Sequence, residues 1–211
     1  MEAPVQTRRS DTPRGGIAER IWNAARQEFS RRGYHGARVQ GIARGAACNV
    51  ALMYRHWPSK RALYQDILRS VWLSAAEEIA RLLEARPAEP RAVVGACLDA
   101  MLRDPMGAQI LVREVLDGAP LLGQLADGDP ALLEPVRRAG AALAIGAGDA
   151  RVDPVLAVVT VGGLAALVAS AGEADRAFGG MRVAPEVWRR HLFDLLVDGV
   201  GRRAEGAAAL R

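Results

Sequence analysis

The sequence predicts an all-α protein, with an N-terminal three-helix unit containing a helix-turn-helix and a larger helical body behind it. Three observations lead there. Apolar residues recur every three to four positions through most of the 211-residue chain, the signature of amphipathic helices. No stretch of useful length alternates apolar and polar residues as a half-buried strand would. And the segment VQGIARGAACNVALMYRHWPSK, from Val39 to Lys60, reads as two short helices joined by a tight turn, with a third opening behind them.

Residues 1–13 are polar, with Pro4, Pro13, Arg8 and Arg9, and read as a flexible basic arm. Ile17, Ile21, Ala25 and Phe29 form one face of the first helix, which Gly33 ends, since glycine tolerates a left-handed C-terminal cap. Ile42, Ala43 and Ala46 make the stripe of the second helix. Asn49 stands where the third helix needs an N-cap, its side-chain oxygen able to accept an orphan N–H. Met53 and Trp57 are spaced i, i+4, and Pro58 disfavours helix in the residue before it. Two helices this small need support, and the chain supplies a helix on each side.

The fourth helix begins near Ser59 and runs toward Arg86, with Leu63, Ile67, Val71, Ile79, Leu82 and Leu83 on its inner side. It links a domain at 14–60 to a helical domain at 61–211. Apolar periodicity then predicts helices from Ala92 to Leu102, Met106 to Leu116, Ala131 to Gly146, Val155 to Ala171 and Pro185 to Arg202. Gly118 to Pro130, rich in glycine, proline and aspartate, reads as loop, as does the stretch bearing Phe178 and Met181. Residues 155–172 carry no charge and as a helix would span about 27 Å, near the lower limit for a bilayer. Acidic flanks at Asp153 and Glu173, the lack of an aromatic belt, and abundant Ala and Gly argue instead for a helix buried in protein, with no membrane partner.

Half of the residues are hydrophobic, enough for a substantial core. Lys60 is the only lysine among 28 basic residues, a bias that suggests GC-rich coding as much as function. Residues 1–60 hold 11 Arg and Lys against 4 Asp and Glu, a net of +7, whereas the remainder is −3. A basic first quarter on a mildly acidic body suits a polyanion at one end. Cys48 and Cys97 lie far apart in apolar helical contexts. They point to small core side chains in a reducing compartment, and the N-terminus lacks the apolar run of a secretory signal, so a cytoplasmic location is expected. His35, His56 and His191 are scattered, so no metal site is expected. There is no Gly-rich phosphate loop or nucleophile elbow, and nothing supports a catalytic or cofactor role.

Residues 20–63 resemble the N-terminal DNA-binding domain of the TetR family of bacterial transcriptional regulators. The matching residues are Ile21, Ala24, Ala25, Phe29, Gly33 and Tyr34, then Val39, Ile42, Ala43 and Ala46, then Tyr54, His56, Trp57, Ser59, Lys60 and Leu63. Ala47 replaces the family's usual turn glycine. Cys48 and Asn49 stand for its valine and capping serine, Gly41 for an acidic residue, and Arg38 for a Ser or Thr.

The resemblance implies a regulator that grips double-stranded operator DNA, probing the major groove with the third helix. Tyr54, His56 and Lys60 match positions that touch phosphates, and Arg38 sits at another such position. Gln40, Arg44, Val50, Ala51, Leu52 and Arg55 are the candidates for reading bases. Gln can pair bidentately with adenine and Arg with guanine, while apolar side chains meet a thymine methyl. Val50, Ala51 and Leu52 offer no side-chain donor, so Gln40 and Arg55 should carry much of the readout. The resemblance also implies a homodimer through the helices from Val155 to Ala171 and from Pro185 to Arg202. A pocket for a small apolar or amphipathic effector is expected too, with Trp72, Met101, Met106, Gln109, Ile110, Arg113 and Glu114 as candidates. The expected function is therefore that of a ligand-responsive repressor; the alternative is a constitutive DNA-binding protein without effector.

Overall fold

The stripe Ile21, Ala25 and Phe29 organises the fold, because all three side chains are fully buried on α1 (Gly16–Gly36). The computed structural model describes residues 15–84 and 90–138, with positions 160, 162–164, 166, 187 and 190. Every regular element among these is helical. After α1 come α2 (Val39–Gly45), α3 (Val50–His56), α4 (Lys60–Glu84), α5 (Pro90–Arg103), α6 (Pro105–Leu116) and α7 (Pro120–Gly128). A 3-10 turn follows at Pro130–Leu133, and the chain is α-helical again at 134–138. The expected arm at 1–13 lies outside the described residues, as do nearly all of the two expected dimer helices. No described helix is long and apolar enough to cross a membrane.

One hydrophobic core runs through both expected domains. Ile21, Phe29, Ile42, Met53 and Trp57 from the first three helices join Leu63, Tyr64, Ile67 and Leu68 of α4, then Leu98, Ile110 and Leu121 beyond. Helix α4 is the shared wall. It starts with a helix signal of its own, the Ser59 hydroxyl accepting from Ala62 N at 3.0 Å. The Phe29 and Tyr64 rings meet edge-on at 4.8 Å, a favoured aromatic geometry. Gly33 kinks α1 rather than ending it: with φ +67 and ψ −179 it takes an extended conformation open to glycine and not the expected left-handed cap, and the helix resumes to Gly36.

One expectation fails. The segment from Gly118 to Pro130 is not a loop but carries α7. Pro120 presets the first turn, and Leu121 with the half-buried Leu122 and Leu125 packs on the core. The cap comes from a distant residue. Glu114 Oε1 accepts from Leu121 N at 2.7 Å and Leu122 N at 3.0 Å, satisfying two orphan donors at the start of α7. Glu114 Oε2 accepts from the Tyr64 hydroxyl at 3.0 Å. The carboxyl is 1% exposed, and the positive end of the α7 dipole favours its charge. Burial, and then the Glu114 charge, drive the Tyr64 hydroxyl far above its ordinary pKa. Further polar ties hold α4 to this region. Arg61 bonds Gln124, Arg69 pairs with Asp129, and Trp72 Nε1 donates to Leu132 O at 2.7 Å.

Two predictions follow from this packing. Glu114→Ala leaves two helical N–H groups and a buried hydroxyl unpaired and should cost about 3 kcal/mol, whereas Val115→Ala on the exposed side should stay within about 0.5 kcal/mol; thermal melts check both. Burial pushes the Cys97 thiol up to about 12, so only the half-exposed Cys48 should react with a thiol reagent at pH 8 before denaturant is added.

Candidate nucleic-acid interface

Helices α2 and α3 have seven residues each, too few to persist alone in water, so their geometry is set by what holds them. Ile42, Ala43, Ala46 and Met53 are buried against α1 and α4. The turn between them is a Schellman-type closure: Cys48 N donates to Ala43 O at 2.9 Å, and Ala47 adopts φ +50. That left-handed conformation is one that glycine adopts without strain. Arg20 on α1 fixes the same end, its Nε donating to Ala46 O at 3.1 Å. Asn49 caps α3 as the sequence predicted, Oδ1 accepting from Leu52 N at 2.7 Å. At the far end of α3, Trp57 packs 6.2 Å from the Trp22 ring and donates through Nε1 to Asp66 Oδ2 at 2.9 Å.

The start of α2 shows how Gly41 replaces an acidic residue. Glu28, one helix away, accepts from Arg38 N at 3.2 Å. A Cβ on Gly41 would come within 3.0 Å of that carboxylate. The acid is therefore supplied by α1, and the missing side chain makes room for it. Neither Arg20, Glu28 nor Asp66 stood out in the sequence, because each acts across a long-range contact.

The surface left over is polar and cationic. Arg38, Gln40, Arg44, Ala51, Tyr54, Arg55 and His56 are exposed, and Val50 and Leu52 are half-buried. Among the described residues, the guanidinium groups of Arg38, Arg44 and Arg55 take part in no hydrogen bond or ion pair, while those of Arg20, Arg26, Arg32, Arg69, Arg103 and Arg113 are bonded to protein. Lys60, expected at a phosphate-contact position, is also engaged within the protein. Its Nζ donates to Tyr34 O at 2.8 Å and Ala37 O at 3.1 Å and lies 4.7 Å from the Tyr34 ring centre. Two of its three donors close the C-terminal end of α1.

These observations meet the known proteins at the same place. The profile of the family described as "Bacterial regulatory proteins, tetR family" matches residues 21–67, from α1 into α4. The helix-turn-helix unit of this chain, residues 21–67, thus matches that of the TetR family. Among TetR-family relatives, the HTH-type transcriptional regulator RutR of Escherichia coli is 32% identical over 112 residues, covering 52% of each chain. This chain thus aligns with about half of the length of that relative. A transcriptional regulator of Streptomyces coelicolor is 27% identical with TM-score 0.52, covering 87% of this chain and 97% of its own. A TetR-family regulator of Bordetella parapertussis, 21% identical, shares the fold with TM-score 0.61 over 84% and 92%.

The effector candidates scatter rather than converge. Met101 lines a cleft of about 120 Å³ with Val71, Ser74, Ala75, Glu78, Ala100, Arg103, Asp104 and Ala108. Trp72, Met106, Gln109, Ile110, Arg113 and Glu114 do not line it. Ile110 is core, Trp72 and Glu114 serve α7 and the turn after it, and Met106 and Gln109 are half-buried. Arg113 turns toward α1, Nε donating to Ser30 O at 2.7 Å and Nη2 to Arg31 O at 2.8 Å.

Ala47→Gly should raise stability by up to about 1 kcal/mol, since it relieves a left-handed non-glycine residue. Lys60→Met should lower it by about 1–3 kcal/mol through the lost charged hydrogen bonds, whereas Arg38→Gln should leave the melting curve unchanged; differential scanning calorimetry compares the three.

Proposed function

We propose that this TetR-like chain is a ligand-responsive DNA-binding transcriptional regulator that acts as a repressor. It would read a palindromic operator as a homodimer through the segments from Val155 to Ala171 and Pro185 to Arg202. The observation that carries the reading is the availability of Arg38, Arg44 and Arg55. Their guanidinium groups have no protein partner, while most of the other described arginines are bonded to protein. Uncommitted cations beside Gln40, Tyr54 and His56, on rigidly held short helices, suit phosphate and base-edge contacts. The +7 balance of residues 1–60 adds long-range attraction to DNA.

In this reading Arg38, Tyr54 and His56 hold phosphates, joined by the remaining donor of Lys60. Gln40, Arg44 and Arg55 read base edges, and Val50, Ala51 and Leu52 meet thymine methyls. A cytoplasmic location is part of the same proposal. The reading is supported by the relatives, whose names are those of transcriptional regulators.

Selection from random duplex DNA should yield a two-fold symmetric site whose affinity falls steeply with salt. Arg38→Gln should weaken all sequences alike and flatten the salt dependence. Gln40→Ala or Arg55→Ala should relax preference at particular base pairs, at a cost of about 1–3 kcal/mol on the selected site. Selection that returns no enriched sequence, or variants that leave both affinity and preference unmoved, would overturn the assignment. Sedimentation at micromolar concentration should show a dimer, which Leu167→Arg converts to monomer.

A further inference from the structure

One peptide bond between α1 and α2 is held at both ends by opposite charges. Ala37 O accepts from Lys60 Nζ of α4 at 3.1 Å, and Arg38 N donates to Glu28 Oε1 of α1 at 3.2 Å. Arg38 is the N-cap residue of α2, and Gln40 and Arg44 follow on that helix one turn apart. We propose that Glu28 is a positioning residue for DNA reading: its carboxylate caps α2 from across the contact with α1, and so aims Arg38 at a phosphate and Gln40 at a base edge. The proposal rests on the reading of the chain as a DNA-binding regulator.

The residues that open α2 require a cap from outside. A helix start can be closed from within by a Ser or Thr at the N-cap and a Glu three residues on, whose carboxylate reaches back to the N-cap N–H. Arg38 and Gly41 stand at those two positions. A guanidinium accepts no hydrogen bond, and Arg38 makes no side-chain cap. Glycine has nothing to reach back with. The Glu28 carboxylate takes up the space instead: a Cβ on Gly41 would meet its Oε1 at 3.0 Å, Cδ at 3.1 Å and Oε2 at 3.3 Å.

The carboxylate is itself held in place. Its side chain is 17% exposed and pairs with Arg32, one turn along α1, at 3.2 Å. Glu28 faces the N–H end of the peptide and Lys60 the carbonyl end, so both hydrogen bonds are charge-assisted, and the peptide plane cannot turn without breaking one of them. Burial of Ile42 and Ala43 fixes how deeply α2 sits, but burial is non-directional. The bonds at Ala37 and Arg38 fix the direction of entry. Gly41 N and Ile42 N both donate to Arg38 O, at 2.9 and 3.1 Å, so a turn at Arg38 passes through the whole first turn of α2. Helix α3 has its own cap in Asn49, so loss of Glu28 should disturb Gln40 and spare Arg55.

The test uses the full-length protein and the site selected from random duplex DNA. Discrimination is read as the ratio of affinities for that site and for a scrambled duplex. Glu28→Ala should lower the ratio at least tenfold. The base pairs whose preference relaxes should be those that relax in Gln40→Ala, while the base pairs that depend on Arg55 keep theirs. In a Gln40→Ala background, Glu28→Ala should lower the ratio by less than a further threefold. Glu28→Gln keeps an acceptor for Arg38 N and should stay within threefold of the wild type. Gly41→Ala reaches the same bond in a variant that helix propensity favours: its Cβ pushes the carboxylate from Arg38 N, so discrimination should fall at least fivefold with no fall in melting temperature. Glu28→Ala with Gly41→Glu returns an acid to α2 itself and should restore the ratio to within threefold of the wild type. Amide hydrogen exchange reads the bond directly, and Arg38 should exchange at least tenfold faster in Glu28→Ala. An unchanged ratio in Glu28→Ala, a loss spread evenly over the base pairs of both helices, or no rescue by the double variant overturns the inference and leaves the DNA-binding reading standing. If selection returns no enriched sequence, the DNA-binding reading fails, and this role for Glu28 fails with it.

Discussion

Two seven-residue helices carry most of the candidate reading surface, and their inability to stand alone is the constraint on which the rest of the structure depends. Helices shorter than about 12–15 residues are marginal in water, so α2 and α3 exist because α1 and α4 bury their apolar sides. The polar groups at their ends are met from outside the motif as well. Arg20 closes the end of α2, Glu28 meets its start, and Asp66 receives Trp57 at the end of α3. The position of the reading surface is therefore the position of α1 and the first turns of α4.

Helix α6 is what locates α1. Asp104 at its start and Arg113 near its end both bond α1, and Glu114 reaches the other way, to Tyr64 on α4 and the first N–H groups of α7. Adjacent residues Arg113 and Glu114 thus serve opposite faces. A buried carboxylate without a cation is sustained here by two backbone donors, a hydroxyl and a helix dipole. These polar ties are directional where the hydrophobic core is not, so they fix the orientation of the first three helices on the body.

Charge is distributed by the same logic. Arginines that hold the fold together face carboxylates or helix-end carbonyls, while those on α2 and α3 face none. Lys60 looked like a surface cation in the sequence, yet it spends two donors on α1 carbonyls. A positive residue at a helix start was visible; which carbonyls lay within reach was not.

The sequence by itself determined the all-α class, the helix-turn-helix and most helix positions. Apolar spacing, the Asn49 cap and the Pro58 stop are local signals, and helices form largely from local rules. The stripe of Ile42, Ala43 and Ala46 and the pair Met53 and Trp57 are buried as their spacing required. Only the tertiary structure decided the rest. Composition marked the stretch from Gly118 to Pro130 as loop, and it folds as α7 because a carboxylate near the end of α6 caps it. Met101 lines the cleft while the other six effector candidates lie elsewhere, and Arg113 and Glu114 turn out to be fastenings. The physical reason is common to all of these. Periodicity tells which side of a helix is buried, but the partner of a charged or hydrogen-bonding group is set by which helices cross, and that is a property of the packed chain.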